Sequence, residues 1–373
     1  MAYKTIDSFN FKGKRVIVRI DINSEIKNNK IVPSERFLAP LKTIKELQKK
    51  KAKVVLIGHQ GRPGSNDFTD FKQHYNILKK HIPKLKFIND VIGFKAVLAI
   101  KNLKEGEILL LDNVRSVKDE LEPSFENKLT KRLAPLFDYY VNDAFSVSHR
   151  KQTSIIEFPK LMPSCIGRTM QKELENIDKL DLENCIFILG GSKTEDVSLL
   201  MNRKNILSTG VPAIVCLLAK NYDLGAENTR MRELSNEIKE NISHITIPVD
   251  LAVNMKGKRK ELRLSEFPSN YKILDIGSET IKQYSAVIKN AKSIFLKGTP
   301  GYSEIKGFEK GTKEILKAIE QSKAFSVIAG GHSTTALSKF KINKKKIGYI
   351  SLSGGALVHY LSGKKLPGLE VLR

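Results

Sequence analysis

Gly190-Gly191-Ser192-Lys193-Thr194 follows five apolar, β-prone residues, Cys185 to Leu189, and runs into Glu195, Asp196, Val197, Leu199 and Leu200, which are spaced as on a helix. A strand, a turn without side chains and a helix start allow phosphate oxygens to approach backbone N–H groups. The helix dipole favours their charge, and Lys193 adds a mobile cation. The stretch matches neither G-x-x-x-x-G-K-[ST] nor G-x-G-x-x-G, so alone it equally describes a plain connection.

A second chemistry recurs in the first half. Asp21 and Asn23 follow R-V-I-V-R-I; His59 and Arg62 lie in G-H-Q-G-R-P-G; Arg115 ends L-D-N-V-R; Asp143, His149 and Arg150 lie in N-D-A-F-S-V-S-H-R. Only 14 of the 64 basic residues are arginine, yet Arg62, Arg115 and Arg150 each fall just past an apolar run, and Arg36 opens a helical pattern. Guanidinium is a planar fork that suits carboxylate and phosphate, so convergent arginines point to a small, multiply anionic substrate.

These groups need elements to hold them. Strands are expected at Arg15 to Asp21, Lys53 to Gly58, Lys86 to Ile88, Glu107 to Leu111 and Asp138 to Asn142, with helices between them, the first opened by Pro33, Ser34 and Glu35 and patterned on Phe37, Leu38, Leu41, Ile44 and Leu47. Such alternation implies βαβ crossovers, a mostly parallel sheet and ligands beyond the carboxyl ends of the strands. Lys151 to Gly167, with Pro159 and Pro163, reads as the domain junction, and Arg168 to Leu180 as the helix that follows it. In the second half strands are expected at Cys185 to Leu189, Asn205 to Ser208, Ile245 to Val249, Lys272 to Asp275, Lys292 to Leu296, Ala324 to Ile328 and Ile347 to Ser351, forming a second doubly wound sheet. Here glycine marks the strand ends: Gly190-Gly191, Gly298 and Gly301, Gly330-Gly331, Gly354-Gly355. The expected fold is α/β, two doubly wound parallel-sheet lobes, one for a small anion and one for a nucleotide.

Composition sets limits. At 373 residues the chain exceeds one small core and suits two domains. No apolar run reaches the ~18 residues of a membrane span, and M-A-Y-K-T-I-D lacks a signal-peptide core, so a cytoplasmic location is expected. Cys165, Cys185 and Cys216 are far apart and suggest neither disulfides nor zinc. The net charge of +24 invites a nucleic-acid reading, but its lysines are spread through the chain in short clusters without interleaved aromatics.

Taken together, R-V-I-V-R-I-D-I-N, G-H-Q-G-R-P, L-L-D-N-V-R, Y-V-N-D-A-F-S-V-S-H-R, I-L-G-G-S-K and the terminal S-G-G-A-L-V-H-Y-L-S-G-K-K-L-P-G-L resemble phosphoglycerate kinase over nearly the whole chain, and the forms A-G-G-H-S and S-L-S-G-G-A look more like archaeal members than bacterial or eukaryotic ones. The resemblance implies two Rossmann-like lobes joined by a hinge helix. Residues 1–165 would bind 3-phosphoglycerate, with 357–373 packing back onto them, and 166–356 would bind nucleotide. It implies reversible phosphoryl transfer between 1,3-bisphosphoglycerate and ADP, giving 3-phosphoglycerate and ATP, with Mg2+ and closure of the lobes. Asp21, Asn23, Arg36, His59, Arg62, Arg115, His149 and Arg150 would hold the glycerate substrate, with Arg36 on the transferring group. Gly190, Gly191, Lys193, Glu304, Gly330, Gly331, His332 and Ser333 would hold nucleotide, Lys193 sharing the catalytic charge with Arg36. Three positions depart from the family pattern: Val197 stands where many members have a second lysine, Lys297 replaces an asparagine, and His332 replaces an acid that often helps hold magnesium. Asp196 is left as the candidate metal ligand. The competing expectation is a degenerate member that binds polyanions or nucleic acid.

Overall fold

The computed structural model describes residues 3–192, 198–233 and 236–373. The chain divides into two compact units, Met1–Glu175 with Lys365–Arg373, and Asn176–Lys364. None of the helices among the described residues is long and apolar enough to cross a membrane.

The first unit carries β1 (Arg15–Ile20), β2 (Glu25–Lys27), β3 (Lys30–Val32), β4 (Lys53–Ile57), β5 (Leu85–Ile88), β6 (Ile108–Leu111), β7 (Tyr139–Asp143) and β8 (Ser164–Ile166). Six of them form a parallel sheet in the order β5-β6-β4-β1-β7-β8, and β2 and β3 pair as a small hairpin. Val16 to Ile20 are all buried, as expected of a central strand covered on both faces. Arg19 pairs in register with Ile57 of β4 and Asn142 of β7, so the carboxyl ends of the three strands lie along one edge. Val18, Ile20, Leu56, Leu110 and Val141 form the core beneath that edge.

Two expectations change here. The helix foreseen from Phe37 to Leu47 is split into Glu35–Leu38 and Leu41–Lys49, because Pro40 has no N–H to continue the first helix and starts the second at φ −65°. The stretch foreseen as a junction, Lys151 to Gly167, is an integral part of this unit: it folds into the short helices Thr153–Ile156 and Phe158–Leu161 and adds β8 to the sheet edge. The C-terminal residues of this unit are held through Gly368, whose N–H donates to Ser148 O at 2.9 Å. A Cβ at Gly368 would lie 2.7 Å from Ile155, so only glycine fits.

The second unit carries β9 (Cys185–Leu189), β10 (Ile206–Ser208), β11 (Ile245–Thr246), β12 (Asp250–Met255), β13 (Lys258–Arg263), β14 (Ile273–Ile276), β15 (Ser293–Lys297), β16 (Phe325–Ala329) and β17 (Tyr349–Ser351). Its parallel sheet runs β11-β10-β9-β15-β16-β17. The strand foreseen at Lys272 to Asp275 is not in that sheet. It is β14 of a separate antiparallel sheet, β13-β12-β14. Lys256 and Gly257, both at positive φ, close the β12-β13 hairpin as a two-residue turn. The charged sequence of β13, K-R-K-E-L-R, hid it from hydrophobic patterning.

The helix Arg168–Ile177 spans the division between the units. Asp143, at the end of β7, caps it: Oδ1 accepts from the N–H of Thr169 at 2.8 Å and of Met170 at 3.1 Å, and Oδ2 from Thr169 Oγ1 at 2.9 Å. Burial pushes this carboxyl up to about 6 despite those bonds. Asp143 is therefore a helix cap rather than a member of the anion-binding set its sequence neighbours suggested.

Candidate active site

In the first unit Arg62, Arg115, His149 and Arg150 line one cavity of about 600 Å3 beyond the strand ends, together with Lys151 and Gln152, which the sequence had not singled out. Arg115 Nη1 donates to Gly61 O, while its Nε is buried without a partner. Burial and then the neighbouring Arg150 press its guanidinium down to about 10. Gln152 Oε1 is likewise buried and unpartnered. Buried polar groups left unpaired by the protein are costly unless a ligand or water completes them.

Asp21, Asn23, Arg36 and His59 do not line that cavity but are braced beside it. Asp21 Oδ1 accepts from Asn23 N at 3.1 Å, its Oδ2 accepts from Ser146 Oγ, and Arg36 Nη1 lies 3.5 Å from that same oxygen. Asn23 Oδ1 accepts from Gly61 N at 2.8 Å. Gly61 sits at φ +64° with Asp67 backbone only 2.5 Å from where a Cβ would be, so this turn tolerates no side chain. Gln60 ties the two loops together, accepting from Ser24 N at 2.8 Å and donating to Ser24 O at 3.0 Å.

His59 is almost wholly buried and takes a hydrogen bond on Nδ1 from Arg19 Nη2 at 2.9 Å. Burial first, then Arg19, Arg115, Arg150 and Arg36, hold the imidazole well below its ordinary range. Arg19 was missed in the sequence, although a charge within the apolar run V-I-V-R-I is itself a signal. A buried strand does not carry an arginine without a dedicated partner.

In the second unit a cavity of about 390 Å3 is lined by Val211, Ile214, Leu251, Ile273, Leu274 and Ile276 and also by Gly191, Gly210, Arg230, Asp275, Thr299, Glu304 and His332. Tyr302 and Ile305 are 44% and 38% exposed beside it, apolar surface that a flat base would cover. Gly190 and Gly191 serve differently from the expectation. Their N–H groups donate to Lys297 O and Thr299 O at 2.8 and 2.9 Å, and a Cβ on Gly298 would strike Gly190 O at 2.2 Å. These glycines let two strand ends pack backbone to backbone. The free N–H groups belong instead to the first turn of the helix Gly331–Lys339, which starts at Gly330 with φ +105°. Ser333 Oγ there is buried without a partner, and Lys297 Cδ lies 4.0 Å from where a Gly330 Cβ would be. An apolar slot, a carboxylate, a helix N-terminus and a nearby lysine fit a nucleotide.

Lys193, Asp196 and Val197 lie outside the described residues. Among the described residues no group of three or more His, Cys, Asp or Glu could hold a metal ion. All three cysteines are free and buried, and burial pushes their thiols up to about 12, which marks them as inert.

The family model for phosphoglycerate kinase matches residues 6–364. The chain is 38% identical to the phosphoglycerate kinase of Methanothermus fervidus, over 99% of this chain and 97% of that one, and 40% identical to that of Sulfurisphaera tokodaii, over 98% and 95%. Among solved structures, phosphoglycerate kinase from Pyrococcus horikoshii OT3 superposes with a TM-score of 0.88 at 34% identity, covering 99% of this chain and 98% of that chain. The enzyme from Coxiella burnetii gives 0.82 at 29% identity, with the same coverage. With these matches spanning nearly its whole length, the chain belongs to the phosphoglycerate kinase family.

Proposed function

We propose that this kinase works with the residues gathered above, transferring a phosphoryl group between 1,3-bisphosphoglycerate and ADP with 3-phosphoglycerate and ATP as the other pair. Arg62, Arg115, His149 and Arg150 hold the glycerate phosphate, and Asp21, Asn23 and His59 orient the glycerate. Arg36 and Lys193 meet the charge on the transferring group. Glu304 takes the nucleotide ribose, Gly191 lines the slot, and Gly330, Gly331, His332 and Ser333 receive its phosphates. Val197 offers no second cation, and Lys297 supplies part of the substitute charge beside Gly330.

Phosphoryl transfer proceeds through a loose transition state, so positioning and electrostatics do most of the work. A carboxylate leaving group needs no general base, which suits a site built from arginine and lysine. Magnesium, entering with the nucleotide, would neutralise phosphate charge, with Asp196 as the candidate protein ligand. The location is cytoplasmic, in keeping with three free, buried cysteines.

The observation that carries this reading is the cavity at the carboxyl edge of the first sheet, lined by Arg62, Arg115 and Arg150. A coupled assay with 3-phosphoglycerate and ATP, following reduction of the 1,3-bisphosphoglycerate formed, tests it. Turnover that needs both substrates supports it; folded protein without turnover at any nucleotide or metal concentration refutes it.

A further inference from the structure

We propose that a fully buried array, Arg19–Ser154–Glu120, fixes His59 in one neutral tautomer, so that His59 meets the substrate as an uncharged Nε2–H donor and Arg19 is a positioning residue. The role of the array rests on the reading of His59 as a substrate ligand.

Donor chemistry fixes the direction of every hydrogen bond that Arg19 makes. Arg19 is the penultimate residue of β1 and has no exposed surface. Its guanidinium donates from Nε to Ser154 Oγ at 2.9 Å, from Nη1 to Ile20 O and from Nη2 to His59 Nδ1 at 2.9 Å. A guanidinium has no acceptor, so Nδ1 of His59 must accept and cannot carry a proton. The neutral ring then carries its proton on Nε2, which makes no hydrogen bond among the described residues. Ser154 Oγ accepts from Arg19, so its own hydrogen goes to Glu120 Oε1 at 2.7 Å, and Ser154 N donates to Glu120 Oε2 at 2.9 Å.

Glu120 is as completely buried as Arg19. An isolated buried charge is prohibitive, so each makes the other tolerable, with Ser154 as relay. Protonating His59 would place an Nδ1–H against the Arg19 N–H and add a cation to a ring already faced by Arg36, Arg115 and Arg150. The acids of this region are engaged elsewhere, Asp21 by Asn23, Ser146 and Arg36, and Glu120 by Ser154. The substrate therefore meets charge from arginines that stay protonated and direction from a histidine that stays neutral.

Long-range 1H–15N spectra of the 15N-labelled full chain, with His59 assigned by His59→Ala, read the tautomer directly. The expected result is a ring protonated at Nε2 alone that does not titrate from about pH 5.5 to 8, where an ordinary imidazole changes charge near 6.5. The charge-balanced variant Arg19→Met/Glu120→Gln should release the tautomer and raise KM for 3-phosphoglycerate about tenfold, as for loss of one aligned hydrogen bond, with KM for ATP unchanged. Arg19→Lys, which keeps a donor, should restore the tautomer. Should the double variant fail to fold, Ser154→Ala is the smaller change and should weaken substrate binding in the same direction. A wild-type ring protonated at Nδ1, or titrating in that range, overturns the array. The expected tautomer with an unmoved 3-phosphoglycerate KM in His59→Ala overturns the substrate role of His59 instead.

Discussion

Arg36 Nη1 stands 3.5 Å from Asp21 Oδ2, beyond the ~2.7–2.9 Å of a strong charge-assisted bond, and its Nε is buried with no partner. With its side chain 40% exposed, Arg36 adds little to the fold and is held short of full pairing. Arg36→Ala should therefore leave stability within about 0.5 kcal/mol of wild type. It should lower kcat about a hundredfold to a thousandfold, the usual cost of removing one transition-state charge contact. Urea unfolding and steady-state kinetics on the same preparation decide; near-normal turnover would remove Arg36 from the transition state. Arg62, Arg115 and Arg150 were legible because strand ends in parallel sheets converge, so spacing in sequence becomes proximity in space. Arg19 was legible only as an anomaly within a buried strand. Glu120 and Ser154 left no pattern, since their meaning comes from a partner far away in the chain.

The helix Arg168–Ile177 shows what single residues do for an element. Arg168 donates to Glu46 from Nε and Nη2 at 2.8 and 2.6 Å and to Asp7 from Nη1 and Nη2 at 2.8 and 2.7 Å, and its own N–H donates to Thr43 Oγ1 at 2.8 Å. Hydrogen bonds from Arg168 hold the carboxyls of Glu46 and Asp7 below their ordinary values of 4.5 and 3.8. A carboxyl with a lowered folded pKa gives stability that is present above its unfolded value and lost as pH falls through the folded one. Arg168→Met should thus cost about 1–3 kcal/mol at pH 7, between an exposed and a buried pair, and flatten the loss of stability below pH ~4.5. Urea titrations at pH 7 and pH 3.5 test both parts; an equal acid loss in wild type and variant would refute the second. Asp143 acts in the opposite sense. Its raised carboxyl contributes stability that is present below 3.8 and lost as pH rises through about 6. It titrates in both proteins, so the comparison with wild type isolates Arg168. At this scale the sequence showed the apolar parallel strands plainly and the charged strand β13 poorly, because a largely solvent-facing strand needs no apolar period. It also mistook Lys151 to Gly167 for a junction, since two prolines resemble a linker even where they start or follow short helices packed in a core.

Across the whole molecule each unit has its own core, around Val18, Leu56 and Val141 in one and Ile188, Leu296 and Ile328 in the other. Separate cores mean that a ligand bound to one unit first opposes the opening of that unit, by a factor of one plus its concentration over Kd. At a hundred times Kd, amide exchange that requires such opening slows about a hundredfold. We therefore expect 3-phosphoglycerate alone to protect the segments around 20–24, 59–62 and 149–152, and ATP alone to protect those around 299–305 and 330–334. The family resemblance adds an expectation of lobe closure, for which the helix Arg168–Ile177 is the natural reporter: its carboxyl-terminal half should gain protection only with both ligands present. Hydrogen exchange read by mass spectrometry on the full chain resolves all three patterns. ATP protecting the arginine loops, or 3-phosphoglycerate protecting the Gly331–Lys339 helix, would overturn the division of labour between the units. Protection of the connecting helix by ATP alone would leave the two sites standing but place the closing step with nucleotide binding.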